Sequence, residues 1–264
     1  MLEAGRHNYR LDFRIHMPAA LTYPLANRAY NWWYESEPEA GMQGRKIYQP
    51  RGKVLGGSST INGMIYIRGN PLDYEGWAAR PGLETWSYAH CLPYFQRVET
   101  RLKGADAYHG VGGPLYLTSP DCDNPLFAAF FGACEQAGYP LTDDVNGYQQ
   151  EGFGAFDRTT YRGRRHNAAR AWLHPVRNRK NLHVRTRAHV TKVLFEGTRA
   201  VGVQVRKGGS TRTYRGGQII CCGGAIGSPQ VLQLSGVGAA DDLRALGIAP
   251  VLDPERWEAC GDGT

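Results

Sequence analysis

The last third of the chain constrains its fold most tightly. Residues 182–187 alternate apolar with basic side chains, and residues 189–195, 200–206 and 211–215 continue as short runs separated by glycine turns, the pattern of strands joined as hairpins. The alternation then stops. Gln218, Ile219, Ile220, Cys221 and Cys222 form a continuous, largely apolar run, which predicts a parallel strand covered on both faces. Gly223 and Gly224 follow, and a helix is expected through Leu234. A meander, a buried strand, a glycine turn and a helix, in that order, predict an α/β architecture with a β-meander insertion.

Upstream the texture differs. Residues 9–48 are rich in Pro and aromatic residues without a sustained period, and are expected to be extended. Ser87 is placed to cap a helix running to Val98. A second helix is expected over 124–137, with Leu126, Phe127, Phe130, Phe131 and Cys134 on one face and Gly138 as its stop.

Three glycine-bearing segments offer chemistry. In the first, Glu3 stands before Ala4 and Gly5 at what reads as the end of a strand, where a carboxylate can take hydrogen bonds from a ribose diol; a simple turn explains the same residues. The second spans 52–64. Gly56 and Gly57 let backbone approach a bulky ligand, Ser58 and Ser59 supply hydroxyls and amides for phosphate oxygens, and Asn62, Gly63 and Met64 offer donors beside a flat ring. The flanking Val54, Leu55, Ile61, Met64 and Ile65 are expected to bury this loop. In the third, Gly223, Gly224 and Ala225 follow the apolar run, where open α/β sheets bind ligands; tight strand–helix packing explains these glycines equally well.

Other function classes find less support. The net charge of +7 comes from scattered basic residues, and the densest group (Arg162, Arg164, Arg165, Arg170) has no interleaved aromatic platform for single-stranded nucleic acid. The six cysteines form no C-x-x-C pair, so reduced thiols are expected rather than a metal site or disulfides. The eight histidines lack ligand spacing and are expected to be surface or structural residues. No G-x-S-x-G elbow accompanies the serines. No apolar run approaches the ~18 residues of a membrane span, so a cytoplasmic protein is expected, at most peripheral at the inner face of the cell membrane.

Two long blocks carry a family resemblance. Gly52-Lys53-Val54-Leu55-Gly56-Gly57-Ser58-Ser59-Thr60-Ile61-Asn62, with Tyr66 and Gly69 beyond, resembles the first signature of the glucose–methanol–choline (GMC) oxidoreductases, and residues 224–238 resemble the second. Residues 31–38, 143–154 and 164–173 are most similar to the choline-oxidising members. The resemblance implies an FAD-binding, Rossmann-like α/β domain. It implies oxidation of a primary alcohol, choline to betaine aldehyde, with the respiratory chain as electron acceptor and neither nucleic acid nor metal involved. Glu3 is then expected at the adenosine ribose, Gly56, Gly57 and Ser58 along the pyrophosphate and ribityl, Asn62, Gly63 and Met64 at the isoalloxazine edge, and the Val190 backbone at the adenine. Ile61 stands where some relatives carry a flavin-linking histidine, so noncovalent FAD is expected.

The departures from the family pattern shape the expectation as much. No G-x-G-x-x-G is present, and neither is the C-terminal substrate-binding part with its catalytic histidine. Residues 1–252 are therefore read as an incomplete FAD-binding domain, and 253–264 as a divergent tail consistent with a shifted reading frame. The parent enzyme is expected to be active and this chain inactive. The alternatives are another alcohol dehydrogenase or oxidase of the family, or a noncatalytic remnant.

Overall fold

The computed structural model describes residues 1–253, so the divergent tail lies outside the described residues except for Asp253. The chain divides into two units, His7–Leu182 and residues 1–6 with 183 onward.

The His7–Leu182 unit is built from short pieces. Where extended chain was expected over 9–48, two four-residue helices form, α1 (Phe13–His16) and α2 (Thr22–Leu25), followed by an antiparallel pair, β1 (Tyr34–Glu35) with β2 (Tyr48–Gln49). Ile15, Tyr30, Val54 and Ile61 bury one another and draw in Leu25, which anchors this excursion and the glycine loop to a common core. β3 (Ile65–Tyr66) leaves that loop. Asn70 then caps α3 (Pro71–Ala78), with Pro71 in the first turn where its missing N–H costs nothing.

Ser87 caps α4 (Tyr88–Val98) as expected, accepting a hydrogen bond from the His90 N–H. The chain continues directly into β4 (Glu99–Arg101), parallel to β5 (Leu115–Leu117). Leu115, Leu117 and Ala171, with Tyr66 and Val98, form a second core. Helix α5 (Pro125–Gln136) closely matches its expected bounds, with Asn124 accepting from the Leu126 N–H and Gly138 in the left-handed region at φ +78°. Its apolar face is less covered than expected: Cys134 is buried, but Leu126 is 76% exposed. Asn124→Ala is expected to lower stability by about 1 kcal/mol through the lost cap, read as a shift in the denaturation midpoint at unchanged m-value. Three more two-residue strands complete the unit. β6 (Asp157–Arg158) pairs with β3, and β7 (Thr160–Tyr161) forms a hairpin with β8 (Arg164–Arg165).

The other unit is the expected meander. β9 (His189–Glu196), β10 (Arg199–Lys207) and β11 (Ser210–Arg215) lie antiparallel in the order β11-β10-β9, with irregularities between Ala200/Gly202 and Gln204/Val205. Residues 1–5 run alongside 183–188 through parallel-type bonds, including Glu3 N–H to the Arg185 carbonyl at 2.9 Å and Ala188 N–H to the Glu3 carbonyl at 2.9 Å. Ala188, Val193, Val203 and Val205 form the core, joined by Leu2, Val190, Ile219 and Val231. Helix α6 (Gly224–Leu234) packs on β9 and starts at Gly224 itself, earlier than the expected glycine turn allowed. Ser235 ties the two elements together, accepting from the Val193 N–H at 2.8 Å and donating to the Val231 carbonyl. A short α7 (Ala240–Ala245) follows.

Residues 218–222 correct the strand expectation. They form no strand, Ile220 is 74% exposed, and Cys221 and Cys222 are exposed free thiols. An apolar run becomes a buried strand only where neighbouring strands take up its backbone groups. Among the described residues no strand pairs with this one, and only Ile219 reaches the meander core.

Candidate functional site

The 52–64 loop is held from inside by its apolar residues. Val54, Leu55, Ile61 and Met64 are buried, whereas Ile65, expected with them, is 53% exposed on the other face of the short strand β3. The loop tightens into one 3-10 turn, Gly57–Thr60.

Its glycines have separable roles. A side chain at Gly52 would place Cβ 2.3 Å from the Gly57 carbonyl oxygen, so the chain crosses itself there. Gly56 is left-handed at φ +94°, and a Cβ would meet Thr60 Oγ1 at 2.6 Å and Ala169 Cβ at 3.3 Å, so its bareness serves internal fit. Gly57 and Gly63 differ, having no atom within 4 Å of the Cβ position, and leave bare backbone facing open space. Ser58 is exposed, with Oγ accepting from the Gly52 N–H at 3.0 Å.

Residues 165–168 template the loop. Arg165 Nη1 donates to the Asn62 carbonyl at 2.6 Å, to Asn62 Oδ1 at 2.8 Å and to the Ser59 carbonyl at 3.3 Å, while Nε reaches the Ile15 carbonyl at 2.9 Å. Asn167 Nδ2 donates to Thr60 Oγ1, which donates to the Leu55 carbonyl. The Ala168 N–H donates to Ser59 Oγ, which donates to the Gly56 carbonyl. Met64 sits at φ +63°, a conformation that costs a non-glycine residue about 1–2 kcal/mol. Asn62 Oδ1 accepts its N–H at 3.2 Å, and the Thr159 N–H holds its carbonyl at 2.8 Å. Burial pulls Arg165 down to about 10. Burial, then the charge of Arg170, drops His166 to about 4, so that its imidazole is neutral and Nδ1 accepts from the Tyr116 N–H.

The remaining candidates belong to the meander unit. Glu3 Oε1 accepts from the Gly5 N–H at 2.7 Å, which aims the carboxylate at the turn. Val190 lies near the start of β9, opposite Val205. Gly224 is at φ +82° with nothing within 4 Å of its Cβ position, and Ala225 beside it is exposed at the start of α6. Within the His7–Leu182 unit, bare backbone at Gly57 and Gly63 is surface that a phosphate chain or flat ring can approach; within the other unit, Gly224 offers the same and the Glu3 carboxylate is of the chemistry that suits a ribose diol.

A second cluster escaped sequence reasoning. Glu99 is fully buried, and it accepts two bonds from Arg68 Nη2, one from His109 Nδ1 and one from the Gly110 N–H. His109 Nε2 meets Asp144 at 2.8 Å, and Arg101 links Asp144, Asp106 and Asp157. Burial pulls His109 down, but its hydrogen bonds to Asp144 and Glu99 outweigh this and hold it at about 9. Burial likewise pushes Asp144 up, and His109 and the Asn146 N–H bring it to about 2. Atoms of Asp106, His109 and Asp144 converge as metal ligands do, but the Arg101 guanidinium already supplies positive charge to both carboxylates. No local spacing announces these partners, which lie 10 and 35 residues from His109.

Comparison with known proteins agrees with this architecture. The GMC oxidoreductase family matches residues 21–252. The chain is 57% identical over 252 residues to the oxygen-dependent choline dehydrogenase of Staphylococcus xylosus, covering 95% of this chain and 45% of that one. The corresponding protein of Staphylococcus aureus (strain Newman) is 53% identical over the same length, of which the chain covers 44%. The chain thus spans about half the length of the curated relatives it matches. Among solved structures, pyridoxine 4-oxidase from Mesorbium loti superposes with a TM-score of 0.89 at 36% identity, over 96% of this chain and 49% of that one. An FAD-dependent oxidoreductase from Chaetomium thermophilum gives 0.84 at 29%, over 96% and 45%. Matched over 21–252 of its 264 residues, the chain belongs to the GMC oxidoreductase family.

Proposed function

We propose that this chain forms the FAD-binding part of an enzyme that oxidises choline to betaine aldehyde. The 57% identity to an oxygen-dependent choline dehydrogenase carries the substrate reading. Bound FAD would supply the hydride acceptor for the alcohol carbon. Gly57 and Ser58 line its pyrophosphate and ribityl while Gly56 shapes the turn. Asn62, Gly63 and Met64 hold the ring edge, Glu3 takes the ribose hydroxyls, the Val190 backbone meets the adenine, and Gly224 and Ala225 border the cofactor. Attachment is noncovalent, because Ile61 is buried in an apolar core and offers no nucleophile.

The substrate-binding part and the base that takes the alcohol proton belong, in this reading, to the other half of the length seen in the relatives. The relatives' name makes molecular oxygen the first electron acceptor to test, ahead of the respiratory chain. No helix among the described residues is long and apolar enough to cross a membrane, and the enzyme is proposed to work in the cytoplasm or peripherally at the membrane's inner face.

Gly63→Leu tests the cofactor reading. Open space at the Cβ position means the substitution leaves thermal stability nearly unchanged. A side chain thrust at a bound ring costs about 1–3 kcal/mol, which weakens FAD by roughly 10–100-fold in a titration of apoprotein. Unchanged FAD affinity would remove Gly63 from the site.

A further inference from the structure

A buried arginine ordinarily faces a carboxylate, because an isolated charge in the interior is costly. Arg165 does not. It is 1% exposed, and its acceptors are three backbone carbonyls and one amide oxygen, from Ile15, Ser59 and Asn62. Among the described residues no carboxylate lies within ion-pair distance of it, and its own carbonyl accepts from a second cation, Arg170 Nη1, at 2.7 Å. Despite burial it stays charged at neutral pH, at about 10.

The charge is wired to one place. Asn62 accepts from Nη1 through both its carbonyl and Oδ1, and the same Oδ1 fixes the Met64 N–H. Asn62 and Gly63 themselves are exposed. One side of this turn therefore rests on an uncompensated cation and the other faces solvent. A field from a buried charge is weakly screened.

We propose that Arg165 is a positioning residue whose positive charge makes the Asn62–Met64 turn favour the reduced, anionic form of the flavin. This rests on the reading of that turn as the ring edge of the FAD site. In the reaction the alcohol's C–H bond breaks, its electron pair leaves with the hydrogen as hydride to the flavin, and the hydroxyl proton leaves separately to the base. The carbinol is oxidised by two electrons and the flavin reduced by two, gaining one negative charge. A cation behind the turn stabilises that added charge, and carbonyl acceptors, unlike a carboxylate, leave it uncancelled.

The test titrates apoprotein with oxidised FAD and, separately, with chemically reduced FAD. Wild type is compared with Arg165→Lys, which keeps charge, and with Arg165→Gln and Arg165→Met, which lose it. The neutral variants should lose on the order of tenfold in preference for the reduced form, equivalent to about 30 mV for a two-electron couple. Titrated at pH 6, so that a lysine whose pKa burial has lowered keeps its proton, Arg165→Lys should stay within about twofold of wild type even if its melting temperature falls. Two neutral variants are used so that one folding failure does not decide the matter, and separate affinities remain readable when binding is weak. An unchanged preference in a folded neutral variant overturns the proposal and leaves the FAD site standing, as does Arg165→Lys losing as much as Arg165→Gln. A folded neutral variant that binds neither form also overturns it, because the guanidinium then only builds the loop. A wild-type chain that binds no FAD overturns the site reading and this proposal together.

Discussion

Glu99→Ala is expected to destabilise the His7–Leu182 unit by about 3–5 kcal/mol, as removal of one partner from a buried ion pair does. The carboxylate accepts from Arg68, His109 and the Gly110 N–H and is fully buried. Its removal leaves Arg68, at 2% side-chain exposure, without a carboxylate, and His109, at 0%, with Asp144 as its one remaining carboxylate. Arg68 has nothing in reserve, since its Nε and Nη1 already lack hydrogen-bond partners. Urea denaturation of the full chain reads the effect as a large drop in midpoint at similar m-value. A loss under about 1 kcal/mol would mean that the cluster relaxes or hydrates, and that Glu99 is not its keystone. His109→Gln combined with Glu99→Ala should cost less than the separate losses added together, because both mutations break the same contact.

The second large effect is a stability that fades in alkali. His109 titrates near 9 in the folded chain against its ordinary 6.5. A raised folded value favours the protonated folded form, so the contribution is complete below pH 6.5 and is lost as pH rises from there through about 9. Between those limits the loss is on the order of 3 kcal/mol. Denaturation midpoints of wild type should fall from pH 6 to pH 10, while His109→Gln starts lower and loses less over the same interval. Parallel profiles for the two proteins would show that His109 is not the titrating group. Asp144 acts at the other end. Its folded value near 2 lies below the ordinary 3.8, so its stabilisation is present above 3.8 and disappears as pH falls through about 2.

What could be read in advance follows how local each determinant is. The meander was legible because alternation and glycine turns are properties of adjacent residues, α4 because Ser87 caps it from the position just before its first turn, and α5 because its apolar spacing and the Gly138 stop are likewise local. The buried character of the 52–64 loop was legible from its flanking apolar side chains. Residues 218–222 were misjudged because a strand is defined by neighbours, which their own composition does not supply. The scaffold of Arg165 and Asn167 stayed invisible for a related reason. Its hydrogen bonds reach back 103–150 residues, and an arginine in a basic stretch reads as solvated until its acceptors are seen. Gly56 was singled out for the approach of a ligand, but Thr60 and Ala169 crowd its Cβ position, so the protein's own packing requires a glycine there.

The pairing of the first residues with 183–188 bears on how the chain is made. The amino group of Met1 bonds to the His183 carbonyl across 182 residues of separation. The whole His7–Leu182 unit is therefore synthesised between two halves of one structural element. At ribosomal rates of roughly 5–20 residues per second, the opening segment waits on the order of 10–40 s for its partner. Leu2, destined for the meander core, spends that interval without the valines it will pack against. Pairing residues 1–5 with 183–188 must close that whole span, and the entropy of so long a loop makes such a contact slow to form.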